Sequence, residues 1–145
     1  MPTTKGAQSG MQGVFLVAAE LTGRGFIVSV TSRNAYGADL LVTDKDCGNA
    51  WSVQVKTNGE RNSYWLLNKN AKEHKSPSHI YVFVNLKGKG GPAYYVVRSA
   101  EVAEHVYIDQ SESGTWYSYD ISDARPHLDA WAAFGSPNQQ FETVG

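Results

Sequence analysis

Ala50–Thr57 reads AWSVQVKT. Trp51, Val53 and Val55 alternate with Ser52, Gln54 and Lys56, the period of two that a β-strand produces. A half-exposed strand alternates in this way, so a wet polar face is the ordinary explanation. A lysine inside a strand is costly, however, unless the face is solvated or the charge has partners. The preceding candidate strand, GADLLV, offers one. Asp39 shares a face with Leu41, while Leu40 and Val42 take the other, and aspartate is disfavoured in strands. TDKDCGN has the turn chemistry to join the two as a hairpin. Paired in that way, Asp39 lies beside Gln54, and a carboxylate, an amide carbonyl and a lysine converge.

Working outward, Met11, Val14, Phe15, Ala18 and Leu21 recur at helical steps from about Ser9, and TGRG stops that helix. Glu20 sits on its last turn, off the apolar stripe. GFIVSVTS is rich in β-branched residues and reads as a strand. After AWSVQVKT, YWLLN is a short strand or a helix start. KNAKEHK looks helical and exposed, and Pro77 ends it. HIYVFVNL is apolar on both faces, which predicts a central strand. KGKGGP is a hairpin turn leading to AYYVVRS. SAEVAEHV reads as a short helix with Ser99 as N-cap. TWYSYD reads as a strand, and SDARPHLDAWAAF as a last helix capped by Ser122 or Asp123. Leu128, Trp131 and Phe134 would form its buried side or a dimer seam. The expected fold class is therefore α/β (α+β), a central mixed sheet flanked by helices, in the order helix–three strands–helix–strands–helix. Residues 1–8 read as a flexible tail, 9–135 as a single domain and 136–145 as a C-terminal tail.

The 145 residues suit one domain with a real core. A single cysteine, Cys47, excludes an internal disulfide and a cysteine-rich zinc site. The polar start MPTTKGAQSG lacks a signal-peptide core, and no apolar run is long enough to span a bilayer, so a cytoplasmic location is expected. The net charge of −1 hides an asymmetry. Residues 54–98 carry eight basic and two acidic side chains, and residues 99–145 one basic and eight acidic. Phosphate binding responds to such local fields, not to the total. A solvated lysine-bearing face is the bland alternative.

The series Glu20, Asp39 and Gln54-Val55-Lys56 resembles the PD-(D/E)XK nuclease superfamily, whose core is restriction-endonuclease-like. Arg24-Gly25-Phe26 before the first strand is similar to archaeal Holliday-junction resolvases, and the Gln-x-Lys variant to modification-dependent restriction enzymes. The resemblance spans about Gly10 to Leu86. It implies a metal-dependent nuclease that hydrolyses phosphodiester bonds of nucleic acid, with DNA the expected form. Asp39, Gln54, the Val55 backbone carbonyl and Glu20 would hold Mg²⁺ or Mn²⁺. Lys56 would orient the attacking water and stabilise charge on the phosphate. Arg61, Lys69, Lys72 and Lys75 would track the nucleic-acid backbone, and a homodimer would meet two strands.

Two positions depart from the family pattern. Ala38 stands where a proline is usual, and Gln54 replaces a glutamate, removing one negative charge from the metal site. Mg²⁺ prefers hard oxygen ligands, which the Gln54 carbonyl still supplies. The substitution keeps a second expectation open: a catalytically inactive nuclease-fold module that binds nucleic acid or a protein partner. KGKGGP lacks the phosphate-loop pattern, no Gly-x-Ser-x-Gly elbow is present, and His74 and His79 lack metal-ligand spacing. Trp51, Trp65, Tyr64, Trp116 and Trp131 are expected in the core, with Tyr64 and Trp65 as weaker candidates for base stacking.

Overall fold

The run HIYVFVN lies at the centre of the molecule. The computed structural model describes residues 5–32, 37–59 and 63–135. Along the chain come α1 (Lys5–Gly23), β1 (Ile27–Val30), β2 (Leu40–Thr43), β3 (Ala50–Asn58), β4 (Tyr64–Leu67) and β5 (His79–Asn85). Then follow β6 (Ala93–Arg98), α2 (Ser99–His105), β7 (Tyr107–Ser111), β8 (Gly114–Asp120) and the one-turn α3 (Ile121–Ala124). Five strands form the central sheet in the order β1-β2-β3-β5-β6. β1, β2 and β3 are antiparallel neighbours, β3 and β5 run parallel, and β5 and β6 form the expected hairpin. A second sheet has the order β4-β8-β7.

Each face of the central sheet has its own core. On one, Val53, Val55, Ile80, Val82 and Val84 meet Val14, Val17 and Leu21 of α1. On the other, Tyr81, Phe83, Tyr95 and Val97 meet Trp65 of β4 and Tyr119 of β8. Phe83 stacks on Tyr119 at 4.8 Å, and Trp65 lies 5.2 Å from Phe83. The Trp65 indole N–H donates to the Val84 carbonyl at 3.0 Å, so a large ring is buried with its polar tip satisfied. Burial on both faces is why β5 carries no charge and shows no alternation.

Several segments differ from the sequence expectation. The first helix starts at Lys5, inside the stretch read as a tail. Its buried stripe is Gly13, Val14, Val17 and Leu21, and Phe15 is exposed. KNAKEHK, read as helical, forms one 3₁₀ turn over Lys69–Lys72, capped by Asn68. The parallel step from β3 to β5 is thus spanned by strand β4 and that turn. Ser99 is not the cap of α2: Arg98 holds that position, and the buried Ser99 hydroxyl donates to the Ser76 carbonyl at 2.6 Å. The last helix is broken. Asp120 caps α3, a 3₁₀ turn follows at Arg125–His127 containing Pro126, and Asp129 adopts φ 52° before a second 3₁₀ turn, Trp131–Phe134. Leu128 is exposed, while Trp131 and Phe134 are buried. The C-terminal tail, 136–145, lies outside the described residues.

Candidate metal site at the end of strand β2

Leu40 stands opposite Val53, so one further register step sets Asp39 beside Gln54. Two neighbours fix Asp39 there. Its amide donates to the Val53 carbonyl at 2.8 Å, and its own carbonyl accepts the Thr31 amide at 3.0 Å. The Thr31 hydroxyl closes the same junction, donating to the Ala38 carbonyl at 2.6 Å. β2 begins just beyond Asp39, so the Val55 amide has no β2 residue opposite it. The Asp39 carboxylate takes that place, with Oδ2 accepting the Val55 N–H at 2.7 Å. In a strand, the N–H and C=O of one residue project from the same edge. The Val55 carbonyl is therefore turned toward the Asp39 side.

Gln54 and Lys56 stand opposite Tyr81 and Phe83, on the face away from α1. Both are half-buried. Burial pushes the Lys56 ammonium pKa below the ordinary lysine value, and the Asp39 carboxylate opposes that shift. The two charges thus act on one another across the end of β2. Lys56, Asn58, Tyr64 and Leu66 line a hollow of about 200 Å³. The Asn58 amide donates to the Tyr64 carbonyl at 2.7 Å, which holds β4 against this end of β3.

The polar row continues beyond the residues that the sequence singled out. Ser52 lies on the same face, and its hydroxyl is 2.7 Å from His79 Nδ1. His79 is buried and stacks on His74 at 4.1 Å. Burial, then the His74 charge, lower the His79 pKa to about 4, so the ring is neutral near pH 7. Ser52 could have been added from the alternation of AWSVQVKT. His79 had no such signal, because its partner is set by the parallel register.

The remaining sequence candidates fall elsewhere. Gly59 approaches Ser9 and Gly13 approaches Thr57, so the N-terminal turns of α1 lie at the Lys56 end of β3. Glu20 is on a later turn, and α1 packs on the opposite face from Gln54 and Lys56. It pairs with Arg24 at 3.6 Å. After burial, its charge is the next influence raising the pKa of Tyr94, which belongs to the α1-side core. Glu20 is not brought to the Asp39 group. Lys69, Lys72 and Lys75 are exposed around the 3₁₀ turn, and Arg61 lies outside the described residues. Among the described residues, donor atoms of Glu101, Glu104 and His105 lie within 4.8 Å of one another, on α2 and away from Asp39.

The donor set at Asp39 suits a hard cation. The Asp39 carboxylate, the Gln54 side-chain carbonyl and the Val55 main-chain carbonyl are all oxygens, as Mg²⁺ and Mn²⁺ require. They carry one negative charge, against the positive charge of Lys56. Such a set fits weak binding completed by water and substrate phosphate.

No family model matches the sequence, and no curated protein matches it. Solved structures are. A Holliday junction resolvase from Archaeoglobus fulgidus superposes with a TM-score of 0.57 at 12% identity, over 87% of this chain and 98% of the resolvase. A bacterial homing endonuclease superposes with a TM-score of 0.57 at 17% identity, over 99% of both chains. The fold is that of restriction-endonuclease-like nucleases.

Proposed function

We propose that this chain is a metal-dependent nuclease that hydrolyses phosphodiester bonds of DNA at the end of β2. The observation that carries this is the 2.7 Å bond from the Val55 amide to Asp39 Oδ2. It fixes one carboxylate where two carbonyls and a half-buried lysine meet. Both structural neighbours, the Holliday junction resolvase and the homing endonuclease, are nucleases, which supports the same chemistry on the same fold. A divalent ion bound at Asp39 would supply Lewis-acid polarisation of the phosphate and a more acidic water. The protein's own contribution is positional. Thr31 and Val53 hold Asp39, and Asp39 holds Lys56 toward the reacting phosphate. Lys56 then stabilises the negative charge that grows on the phosphate oxygens in the transition state. Lys69, Lys72 and Lys75 draw the strand in, and two copies would act on the two strands of a duplex.

A second reading has its own observation. Glu20 lies on the other face, so Asp39 is the single carboxylate among the residues assigned to this site. A module that binds DNA without cutting would need no more. Incubation of duplex, junction and single-stranded DNA, and of RNA, with Mg²⁺ or Mn²⁺ separates the two. The nuclease reading expects cleavage by the wild type and none by Lys56→Ala or Asp39→Ala. Cleavage surviving both substitutions refutes the site. Salt-sensitive binding without cleavage establishes the module.

A further inference from the structure

The second sheet turns one face inward onto Tyr81 and Phe83 and leaves the other uncovered. Alternation along β4, β8 and β7 puts Trp65 and Tyr119 inside and Tyr64, Leu66, Trp116 and Tyr107 outside. Tyr64 is 43% exposed, Leu66 54%, Trp116 52% and Tyr107 64%. They line a groove of about 660 Å³. Four large apolar side chains thus lie together on one exposed face, and contiguous apolar patches mark binding faces.

The polar lining decides what kind of molecule fits. Asp109, Asp120 and Asp123 line the groove, and among the described residues no lysine or arginine does. Asp120 accepts the Ser122 amide at 2.9 Å and the Ser122 hydroxyl at 2.6 Å. Those two bonds, more than the neighbouring Arg125 charge, keep its carboxyl ionised. His105 also lines the groove, and its Nε2 lies 3.4 Å from Glu101. Aromatic rings beside carboxylates, in a negative field, recognise cations: the rings offer their faces and the carboxylates accept bidentate hydrogen bonds. The same field repels phosphate, and the groove meets the Lys56 hollow only at Tyr64 and Leu66, which line both.

We infer that the outer face of the β4-β8-β7 sheet is a docking groove for a polypeptide segment that presents arginine between apolar side chains. The guanidinium would lie over Trp116 with Asp109, which stands opposite it, as its carboxylate, and the apolar neighbours would cover Leu66 and Tyr64. The groove shares Tyr64 and Leu66 with the Lys56 hollow, but its carboxylates would take a cation whether or not that hollow cuts nucleic acid.

The test uses the full chain and a labelled octapeptide of alternating leucine and arginine, with its citrulline counterpart and a DNA duplex as the other probes. The arginine peptide should bind saturably, and the uncharged citrulline peptide about tenfold or more weakly. Trp116→Ala and Asp109→Asn should each weaken arginine-peptide binding by about fivefold or more, with unchanged thermal melting and unchanged DNA affinity. Equal binding of the two peptides, or variants that bind as the wild type does, would overturn the inference. So would loss of DNA binding in Trp116→Ala, which would make the groove a nucleic-acid surface. A wild-type dimer in sedimentation that Trp116→Ala dissolves would overturn it too, by assigning the face to a second copy of the chain.

Discussion

The two faces of β3 are built on opposite terms. Beneath α1, Val53 and Val55 are buried in a dry aliphatic layer, and Gly13 lets the helix come down onto Thr57. On the other face, Ser52, Gln54, Lys56 and Asn58 form a polar row whose partners come from other segments. Ser52 has His79, Asn58 has the Tyr64 carbonyl, and Lys56 has the Asp39 charge. One face stabilises by close packing. The other holds a charge that the fold must compensate, an arrangement that marks functional sites more than structural ones.

The largest expected effect tests the packed face. A Cβ added at Gly13 would overlap the Thr57 hydroxyl, which is buried among the core residues. Gly13→Ala should destabilise by about 1–3 kcal/mol in urea unfolding, although alanine favours helix. In a Thr57→Ala background the same change should cost well under half as much, and additivity of the two would refute the contact.

The polar row should show itself in pH dependence. The folded His79 titrates at about 4, against 6.5 for an ordinary histidine. Above pH 6.5 the ring is neutral folded or unfolded, and its contribution is complete. As pH falls from 6.5 toward 4, the unfolded chain takes up a proton that the folded chain refuses, so stability is lost in that window. Urea titrations across it should show His79→Gln with a pH slope shallower than wild type by up to one proton.

Smaller still is the stability effect at Lys56. Its lowered pKa says that burial works against its charge. Lys56→Met should leave the protein unchanged or more stable by about 1 kcal/mol, because an apolar isostere avoids the desolvation. A loss of more than about 1 kcal/mol would show that the lysine is structural. The subtlest check is Asp39→Asn. Removing that carboxylate takes away what holds the Lys56 pKa up, so the Lys56 ammonium should lose its proton at lower pH, measurable by NMR titration of its Cε.

Much of this was legible in AWSVQVKT and GADLLV. Alternation gave the polar row, and an aspartate among aliphatic residues gave its partner. HIYVFVN announced a central strand because neither of its faces carries a charge. Three features were not legible. YWLL is too short for periodicity to separate strand from helix, so β4 and its exposed outer face stayed hidden. Trp116, expected inside, is outside because its pairing with Asp109 of β7 sets it on the outer face of the second sheet. Glu20 entered the expected site through the family resemblance alone, and no residue pattern on α1 tied it to the polar face of β3, which lies across the sheet from the helix.

The most direct test of the site is single-turnover cleavage of DNA with Mg²⁺, wild type beside Lys56→Met, with folding of both verified. The polar row predicts a rate loss of about a hundredfold or more in a protein that is at least as stable as the wild type. A Lys56→Met protein that cuts at the wild-type rate would contradict it.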